Sequence, residues 1–600
     1  MFGISNSIRK NLDTERFFAD KKMISFRKTE DTRDIFEKLY HVESDNADTI
    51  LNYYDGSIAD AFFRAADIYP GYTAYEFLGR KVSYKNMRKQ VELCAKALKS
   101  AGLRPGECVT IALPNCPQAL CLFYAVNLAG GVAAMIHPLS SEREIEYYLK
   151  TSRAVMVVTL DQLFGKFKNI LNNTDVRLTI VTGIQDGLAF PKNVAYKMTV
   201  GRKTEKVAET TDIFRWQTFM DMGKQYEGAY AESRSCYDPA VILFSGGTTG
   251  TTKGVVLTSH NFNSQAIQIK ATVPVLTPGD KFIAAMPMFH GFGLGICIHC
   301  MLYAGACTIL IPRFTAKSYA KLISESKCSY FAGVPTLFEA ILRVPKLHGL
   351  DYSNLKGIFS GGDSLSPDLK DRFDNFLAEH NSPVSVREGY GATETLSACC
   401  LSPKEGAKRG SIGLPFADMH FKIIDHETGK ELPAGETGEI IISGPLVMKE
   451  YIGNPEETAQ TLREDENGRK WLYTGDYGMI DEDGFVFFKG RAKRMIIASG
   501  YNVYPNQVEG VLEEHEWIEK ACVIGVADKY RMQKIKAFIV LKNGVIANED
   551  TKKAIMDYCK LKFAKYAKPN EIEFRDSLPQ TKIGKTDYRK LEEEEKKKVS

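Results

Sequence analysis

From about residue 58 onward, short apolar runs alternate with stretches of mixed polarity along the chain. Four of these runs have the length and the β-branched content of buried strands. They are residues 109–113, 155–158, 178–181 and 241–244. Residues 118–128 follow the first run and are predicted to form a helix. Because strands that alternate with helices form largely parallel sheets, the pattern predicts an α/β fold whose ligands bind beyond the carboxyl ends of the strands.

The pattern changes in the last third of the chain. Short apolar runs at 421–424 and 438–443, with turn signals at 436–439 and 481–484, predict a small β-rich subdomain. The lysine-rich remainder has the alternation of a compact α+β module. We therefore predict three parts. They are an N-terminal extension over 1–55, a large domain of stacked αβ subdomains with the β-rich subdomain over 56–490, and a small C-terminal domain over 491–600.

Two stretches, 109–139 and 282–312, contain no Asp, Glu, Lys or Arg and are long enough to cross a membrane. Pro114, Asn115, Pro117, Gln118 and Asn127 interrupt the first, and Pro287, His290 and His299 interrupt the second. We therefore expect each to be a buried strand followed by a buried helix rather than a membrane span. Peripheral contact with a membrane stays compatible with the sequence. Residues 187–236 are polar and weakly periodic, and we expect them to form an exposed excursion.

Composition narrows the function classes. The 600 residues carry a formal net charge of only +4, which gives no reason to propose a nucleic-acid partner. The 13 cysteines are not a disulfide framework, and the first residues are polar without an apolar signal region, so a cytoplasmic protein with free thiols is expected. Cys297, His299 and Cys300 have no second matching pair nearby, so we expect them to pack rather than to bind zinc.

Residues 245–254 read Ser-Gly-Gly-Thr-Thr-Gly-Thr-Thr-Lys-Gly and contain no side chain that could build a core. Glycine allows close backbone approach, and successive N–H groups of such a loop can form an anion-binding nest. The hydroxyls add donors, and Lys253 adds a positive charge, so the loop is suited to a polyphosphate. It is not a Walker A loop, because Val255 and Val256 stand where that spacing requires glycine and lysine.

Four further polar clusters occur where predicted strands end. They are 388–395 (Glu-Gly-Tyr-Gly-Ala-Thr-Glu-Thr), 473–476 (Tyr-Thr-Gly-Asp), 490–493 (Gly-Arg-Ala-Lys) and 579–585 (Pro-Gln-Thr-Lys-Ile-Gly-Lys). Each cluster alone could be a turn, a helix cap or a surface lysine. All five clusters in this order and at these spacings are hard to obtain by chance.

The set resembles the adenylate-forming superfamily, which contains acyl- and aryl-CoA synthetases, luciferases and the adenylation domains of peptide synthetases. The resemblance covers about residues 58–590. Within it the chain looks most like the bacterial medium- and long-chain fatty acyl-CoA synthetases, through its Ser-Gly-Gly-Thr-Thr-Gly loop, its Glu-Gly-Tyr-Gly cluster and residues 500–505 (Gly-Tyr-Asn-Val-Tyr-Pro). This implies a ligase that forms acyl-AMP and pyrophosphate from a carboxylate and ATP, then transfers the acyl group to coenzyme A. It also implies that the small C-terminal domain is mobile and swings between the two half-reactions.

The resemblance assigns a role to each cluster. Thr393 would donate to the α-phosphate, Glu394 would hold Mg²⁺, Asp476 would accept from the ribose hydroxyls, and Arg491 would contact the ribose or a phosphate. The residues implied for the β- and γ-phosphates are Ser245, Gly246, Gly247, Thr248, Thr249, Gly250 and Lys253. Those implied around adenine are Tyr390 and Gly391 on one side and Gly361, Gly362 and Asp363 on the other.

The same resemblance makes Lys585 the adenylation lysine, which bridges the substrate carboxylate and the α-phosphate. It places the interdomain hinge at Lys493 and puts Gly500 beside the pantetheine of CoA. His290, in the apolar segment 286–293, would line the approach to the reacting carboxylate. Because that segment has no charge to pair with a polar tail, the expected substrate is a fatty or aromatic carboxylic acid.

Some residues depart from the family pattern, and several functions stay open. Thr252 replaces the usual proline, Thr586-Asp587-Tyr588 follows Lys585 where apolar residues are usual, and Arg531-Met532-Gln533 replaces Arg-Gly-Glu. Asp587 could pair with Lys585 or face solvent. The alternatives to a fatty acyl-CoA ligase are an aryl- or bile-acid-CoA ligase, and an acyl-AMP ligase that loads a carrier protein. A non-catalytic nucleotide- and fatty-acid-binding protein and an integral transporter are alternatives of other classes.

Overall fold

The computed structural model describes residues 51–201, 207–245, 252–313, 315–498, 501–528, 532–563, 567–581 and 585–599. Within these residues the chain forms two large and two small sheets.

The two large sheets are parallel over most of their width and become antiparallel at an edge. The strands of the nine-stranded sheet are, in spatial order, Leu414–Pro415, Ala398–Leu401, Val386–Gly391, Gly357–Ser360, Tyr330–Gly333, Lys281–Ala284, Cys307–Leu310, Thr73–Phe77 and Arg80–Ser83. Those of the eight-stranded sheet are Glu450–Tyr451, Lys253–Thr258, Pro239–Ser245, Val132–Met135, Cys108–Ala112, Ala154–Leu160, Leu178–Thr182 and Ile213–Arg215.

The two small sheets have five strands each. The first contains His420–Ile424, Gly438–Ser443, Lys470–Ile480 and Leu462–Glu464 in spatial order, with Val486–Arg491 paired to Lys470–Ile480. The second contains Tyr501–Val503, Ile496–Ala498, Met532–Leu541 and Ile518–Asp528 in spatial order, with Glu571–Phe574 paired to Met532–Leu541. These sheets are the β-rich subdomain and the centre of the α+β C-terminal domain.

Helices connect the strands, and local sequence signals fix where many of them begin. The α-helices are Ile58–Ile68, Tyr84–Ser100, Pro117–Leu128, Glu142–Thr151, Phe164–Lys168, Lys192–Thr199, Trp216–Gln225, Ser259–Thr272, Met301–Tyr303, Ala316–Ser326, Pro335–Leu342, Pro367–Glu379, Pro455–Thr461, Pro505–Glu513, Glu549–Lys562 and Tyr588–Val599. Ser57, Ser141 and Thr258 each accept a hydrogen bond from the third residue of the helix that follows. Proline occupies the first turn of several others, because it has no N–H that would need a partner there.

One large apolar core joins the two large sheets. It contains side chains from strands of both sheets and from the helices Ile58–Ile68, Tyr84–Ser100, Pro117–Leu128 and Ser259–Thr272. Separate clusters lie on the nine-stranded sheet, on the eight-stranded sheet and in the C-terminal domain. The stacked αβ architecture and the α+β C-terminal domain predicted from the sequence are therefore confirmed.

The predicted strands and the first predicted helix lie within two residues of their observed bounds. The excursion over 187–236 has more structure than expected, because Ile213–Arg215 adds an edge strand to the eight-stranded sheet and Phe219 is fully buried. The turn at 481–484 is confirmed by the hydrogen bond from the Gly484 N–H to the Asp481 carbonyl, 3.0 Å. The turn predicted at 436–439 was wrong. Residues 433–436 form it instead, and Gly438 already belongs to a strand.

The two uncharged stretches consist of short buried elements. Residues 109–139 contain a strand, the helix Pro117–Leu128 and a second strand. Residues 282–312 contain two strands and, between them, a π-helix over Phe292–Cys300 that continues into a short α-helix. Among the described residues, no helix has both the length and the apolar content needed to cross a bilayer.

Candidate active site

One cavity of about 1610 Å³ brings together the predicted site residues that the structure describes. They are Ser245, Lys253, His290, Gly361, Gly362, Asp363, Tyr390, Gly391, Thr393, Glu394, Asp476, Arg491, Lys493 and Lys585. Gly246, Gly247, Thr248, Thr249, Gly250 and Gly500 lie outside the described residues. The two ends of the Gly/Thr loop are nevertheless fixed, because Ser245 and Lys253 face each other in paired antiparallel strands.

The ends of strands from both large sheets form much of the cavity wall. Ser245 is the last residue of its strand, Gly361 follows Gly357–Ser360 directly, and Gly391 ends Val386–Gly391. Gly362 has a φ of +81°, a backbone conformation that favours glycine. The location agrees with the rule that ligands of open α/β sheets bind at the carboxyl ends of the strands.

Asp476 is the centre of a polar group on the cavity wall. It is 3% exposed, accepts a hydrogen bond of 2.7 Å from the Tyr390 hydroxyl at Oδ2, and lies 3.2 Å from Arg491 Nε at Oδ1. Burial raises the pKa of Asp476, although the Arg491 charge opposes that shift. Oδ1 is enclosed, and although it faces the Arg491 guanidinium it accepts no hydrogen bond of acceptable geometry from the described residues. It is therefore an acceptor that a ligand hydroxyl can satisfy.

A second layer of polar contacts holds Asp476 in place. The buried Glu439 accepts from the Gly475 N–H at 3.0 Å and lies 2.8 Å from His426 Nδ1. The Thr474 hydroxyl donates to the Ile440 carbonyl at 2.6 Å and accepts from the Asp476 N–H at 3.0 Å. The backbone on both sides of Asp476 is thus tied to the neighbouring strand.

Glu394 belongs to a separate charged cluster. The Tyr451 hydroxyl donates to Glu394 Oε1 at 2.8 Å, and the Lys253 ammonium lies over the Tyr451 ring, 4.7 Å from its centroid. Lys253 also forms an ion pair with Glu457. The other carboxylate oxygen of Glu394 accepts no hydrogen bond from the described part of the chain, which leaves it available to a ligand or a metal ion.

Lys585 reaches the cavity from the C-terminal domain. Its backbone is fixed by Thr581, whose hydroxyl accepts from the Lys585 N–H at 3.1 Å and whose N–H donates to the Lys585 carbonyl at 2.7 Å. The Lys585 Cε lies 3.9 Å from the position that a Cβ on Gly362 would occupy. Desolvation lowers the pKa of Lys585, although Asp363 and Asp476 raise it. The ammonium forms no ion pair with a carboxylate among the described residues, although these two carboxylates act on it through their charge.

His290 lies close enough to Lys585 to be affected by its charge. Desolvation, together with that charge, lowers the pKa of His290 to about 4. The imidazole is therefore neutral at pH 7. By contrast, both ring nitrogens of the buried His299 have protein partners, with Tyr124 at 3.2 Å and Asn263 at 3.1 Å, in keeping with a packing role.

Apolar residues form another part of the cavity wall. They include Ile269, Val273, Leu276, Phe282, Ile296 and Met301. These side chains come from the helix Ser259–Thr272 and the residues after it, from the strand Lys281–Ala284, and from the π-helix and its continuation. Because none of them is charged, this part of the cavity suits an apolar group.

Residues that depart from the family pattern also have contacts. The Thr252 carbonyl accepts a hydrogen bond of 2.6 Å from the Tyr147 hydroxyl, which anchors the end of the Gly/Thr loop. Gln533 accepts from the Ile497 N–H at 2.8 Å, and Arg531 lies outside the described residues. Asp587 forms no described ion pair with Lys585; it accepts instead from the Lys590 N–H at 3.4 Å.

The segment after Arg491 connects the two domains. Ala492–Arg494 form one turn of 3₁₀-helix. The Arg494 guanidinium then binds within the C-terminal domain, donating to Asn506 at 2.8 Å, pairing with Glu509 and stacking on Tyr588 at 4.6 Å. Lys493 is therefore the last residue before the chain is fixed to the small domain.

Sequence reasoning missed Tyr451, Glu457 and Glu439, which are in contact with predicted residues. Glu388 was included only as part of a motif. It is half-buried on the cavity wall, and desolvation raises its pKa to about 7.

Replacing Glu388 with glutamine should change how the stability of the ligand-free protein depends on pH. Below about pH 4.5 this carboxyl is protonated in both the folded and the unfolded state, so it contributes no difference. Between about pH 4.5 and 7 the unfolded state loses this proton while the folded protein keeps it, so stability falls over that range; above about pH 7 the folded protein holds a desolvated charge and the loss is complete. The difference in Tm between Glu388→Gln and wild type should therefore be more positive at about pH 8 than at about pH 5. Glu379→Gln, at an exposed position, is the control, and an equal difference at both pH values would refute the expectation.

Comparisons with known proteins agree with this geometry. The AMP-binding enzyme family model matches residues 62–452, and the model of the AMP-binding enzyme C-terminal domain matches residues 507–585. The chain is 36% identical to a long-chain-fatty-acid–CoA ligase of Bacillus subtilis over 88% of this chain and 92% of that protein.

Solved structures give the same picture. An anthranilate CoA ligase in complex with anthranoyl-AMP aligns with a TM-score of 0.78 at 27% identity, covering 90% of this chain and 97% of that one. ATP-bound MatB from Rhodopseudomonas palustris aligns with a TM-score of 0.78 at 26% identity, covering 90% of this chain and all of that one. With its two-domain match and a cavity lined by the expected clusters, this chain belongs to the family of AMP-binding enzymes.

Proposed function

We propose that this protein is an ATP-dependent, AMP-forming acid–thiol ligase that converts a fatty acid to its acyl-CoA thioester through an acyl-AMP intermediate. The observation that carries the proposal is one cavity that combines three features. It contains the desolvated Lys585 of the small domain, polar groups suited to a nucleotide, and an uncharged apolar wall. The long-chain-fatty-acid–CoA ligases among its relatives support the same activity.

In the first half-reaction negative charge develops on phosphate oxygens, so the protein contributes positioning and electrostatic stabilisation. The Gly/Thr loop, from Ser245 to Lys253, would hold the β- and γ-phosphates that leave as pyrophosphate. Thr393 would donate to the α-phosphate, and Lys585 would bridge that phosphate and the attacking carboxylate. Neutral His290 would line the path of the carboxylate without adding a second cation beside Lys585.

The nucleoside would lie against the first polar group. Oδ1 of Asp476, which accepts no described hydrogen bond, would accept from a ribose hydroxyl, and Arg491 would contact the ribose or a phosphate. The flat face of Tyr390 would lie on one side of adenine, with Gly361, Gly362 and Asp363 on the other. Since the Tyr390 hydroxyl is already bonded to Asp476, the ring orientation is fixed before ATP arrives.

The residues present fit Mg²⁺ as a cofactor, because Glu394 has one oxygen bonded to Tyr451 and one oxygen with no described donor. A hard divalent cation prefers such carboxylate oxygens together with phosphate oxygens. When bound, the ion would neutralise part of the charge on the phosphates. Glu394 would hold it at the cavity wall, and Tyr451 would orient the carboxylate.

In the second half-reaction the thiol of CoA would attack the acyl carbonyl and release AMP. Lys493 would be the hinge about which the C-terminal domain moves, and Gly500 would then lie beside the pantetheine. A ligase of this type needs no membrane span, and we place it in the cytoplasm with peripheral membrane contact.

Pyrophosphate release with a panel of acids tests the proposed function. We expect turnover with palmitate and octanoate that depends on CoA, because the apolar wall accepts an alkyl chain and the cavity ends in polar groups. Benzoate and anthranilate test the aryl-CoA ligase alternative, since one similar structure is an anthranilate CoA ligase. Turnover with the aryl acids alone would overturn the fatty-acid assignment, and turnover that CoA does not affect would overturn CoA as the acceptor.

A further inference from the structure

An exposed apolar patch is formed by residues that belong to none of the active-site motifs. We define the apolar patch as Leu78, Phe190, Val194, Met198 and Val200, all of which are exposed. Phe190 is 81% exposed, Met198 56% and Val194 42%. Single exposed apolar residues are ordinary, but a contiguous set indicates a binding surface.

The helix Lys192–Thr199 makes the patch contiguous. Phe190, Val194 and Met198 are spaced by four residues, so the two helical members of this series lie on one face, with Phe190 just before them. The half-buried Tyr196 points to the opposite side and packs against the main core. Lys192 donates a hydrogen bond of 2.9 Å to the Leu78 carbonyl, which places the tip of the hairpin Thr73–Ser83 beside the helix.

The segment that carries four of the five patch residues is basic in sequence. Residues 187–204 contain four basic residues, Lys192, Lys197, Arg202 and Lys203, and no Asp or Glu. This local excess equals the +4 net charge of the whole chain. Neither Lys192 nor Lys197 forms an ion pair with a carboxylate in the described ranges; the Lys192 ammonium donates to the neutral Leu78 carbonyl, so both positive charges remain unneutralised.

We propose that the apolar patch docks on an anionic lipid bilayer, with Phe190, Val194 and Met198 at the headgroup boundary and Lys192 and Lys197 against anionic headgroups. A helix with an exposed aliphatic face, preceded by an exposed phenylalanine and carrying lysines, has the composition of an interfacial helix. The patch fits a protein partner less well, because protein–protein interfaces are depleted in lysine. The proposal rests on the proposed function to the extent that a bilayer is where a long-chain acid accumulates.

Sedimentation of the full chain with lipid vesicles tests the docking surface. Wild type should bind vesicles of phosphatidylcholine with about one third phosphatidylglycerol, and bind pure phosphatidylcholine less well. Phe190→Ser with Met198→Ser should lower the partition coefficient about tenfold or more, because it removes the two most exposed apolar groups of the stripe. Lys192→Glu with Lys197→Glu should lower it by a similar factor on the anionic vesicles only.

Leu561→Ser is the matched control. Leu561 is 87% exposed, lies between two lysines in the C-terminal domain, and should not affect binding when replaced. Absence of wild-type binding to either vesicle, or unchanged binding of the Phe190/Met198 variant, would overturn the proposal and leave the patch to a protein partner. Pyrophosphate release with octanoate, measured without vesicles, reports on the proposed function separately, so either result can fail while the other stands.

Discussion

Replacing Lys585 with alanine is expected to lower the rate of acyl-AMP formation by about 10²–10³, the usual cost of removing a donor that stabilises transition-state charge. Desolvation already lowers the pKa of this lysine, and no carboxylate of the described residues forms an ion pair with it. A carboxylate and an α-phosphate between Gly362 and His290 would supply them. The same variant should still form acyl-CoA from supplied acyl-AMP and CoA, because that step does not need the bridge.

The two half-reactions can be measured separately, by pyrophosphate release and by thioester formation from synthetic acyl-AMP. Lys553→Ala, at an exposed position of the helix Glu549–Lys562, is the matched control for the loss of one lysine in the same domain. Normal pyrophosphate release by Lys585→Ala would show that Lys585 is not the adenylation lysine. Equal loss of both half-reactions would point to damage of the domain instead.

Asp476→Asn is expected to lower kcat/KM for ATP by about 10- to 100-fold, the range for losing a hydrogen bond to a charged acceptor. The substitution keeps the volume but replaces one acceptor oxygen with a donor, next to Arg491 at 3.2 Å. It therefore removes the attraction for the guanidinium and the acceptor for a ribose hydroxyl together. The KM for the carboxylic acid should change much less, since Asp476 belongs to the nucleoside side of the cavity.

Tyr390→Phe serves as the comparison for Asp476→Asn. It removes the 2.7 Å hydrogen bond to the same carboxylate but leaves the acceptor oxygens in place, so its effect on kcat/KM for ATP should be smaller. A Tm measurement with each variant separates ligand binding from stability. If Asp476→Asn left the KM for ATP unchanged, or raised both substrate KM values equally, a nucleoside-binding role would be ruled out.

Short motifs at strand ends could be predicted from the sequence, because the local backbone and the ligand chemistry determine which residue types they contain. Gly361 and Gly391 come to one cavity because parallel strands bring their carboxyl ends to the same edge, whereas Asp476 reaches it from the middle of a strand in a small antiparallel sheet. The contacts of Tyr451 and Glu457 could not be predicted. They depend on the two-residue strand Glu450–Tyr451 pairing with Lys253–Thr258, and a pairing between segments so distant in sequence has no local signal.

Glycine misled the prediction of turns for a physical reason. Gly438 was interpreted as a turn residue, but a Cβ there would lie 2.3 Å from the Ile424 carbonyl oxygen of the paired strand. This glycine permits close packing within a sheet, whereas Gly435, with a φ of +85°, forms the turn.

The π-helix Phe292–Cys300 was likewise hidden from the sequence. A Cβ on Gly291 or Gly293 would overlap the carbonyl of Leu396 or Pro287, so both glycines are required by close tertiary approach. An apolar run with glycines at these positions does not distinguish such an arrangement from an ordinary buried helix.

The polar contacts on either side of Ala492 and Lys493 have a mechanical consequence. Arg491 is held by Asp476 in the large domain, and Arg494 is held by Glu509 and Asn506 in the small one. A swing of the small domain that keeps both anchors can use only the few φ and ψ angles between them. Because the rotation is confined to these few bonds, a small change in their torsion angles would move the distant Lys585 by a large amount. The contacts of Arg491 with ATP would persist while Lys585 leaves the site.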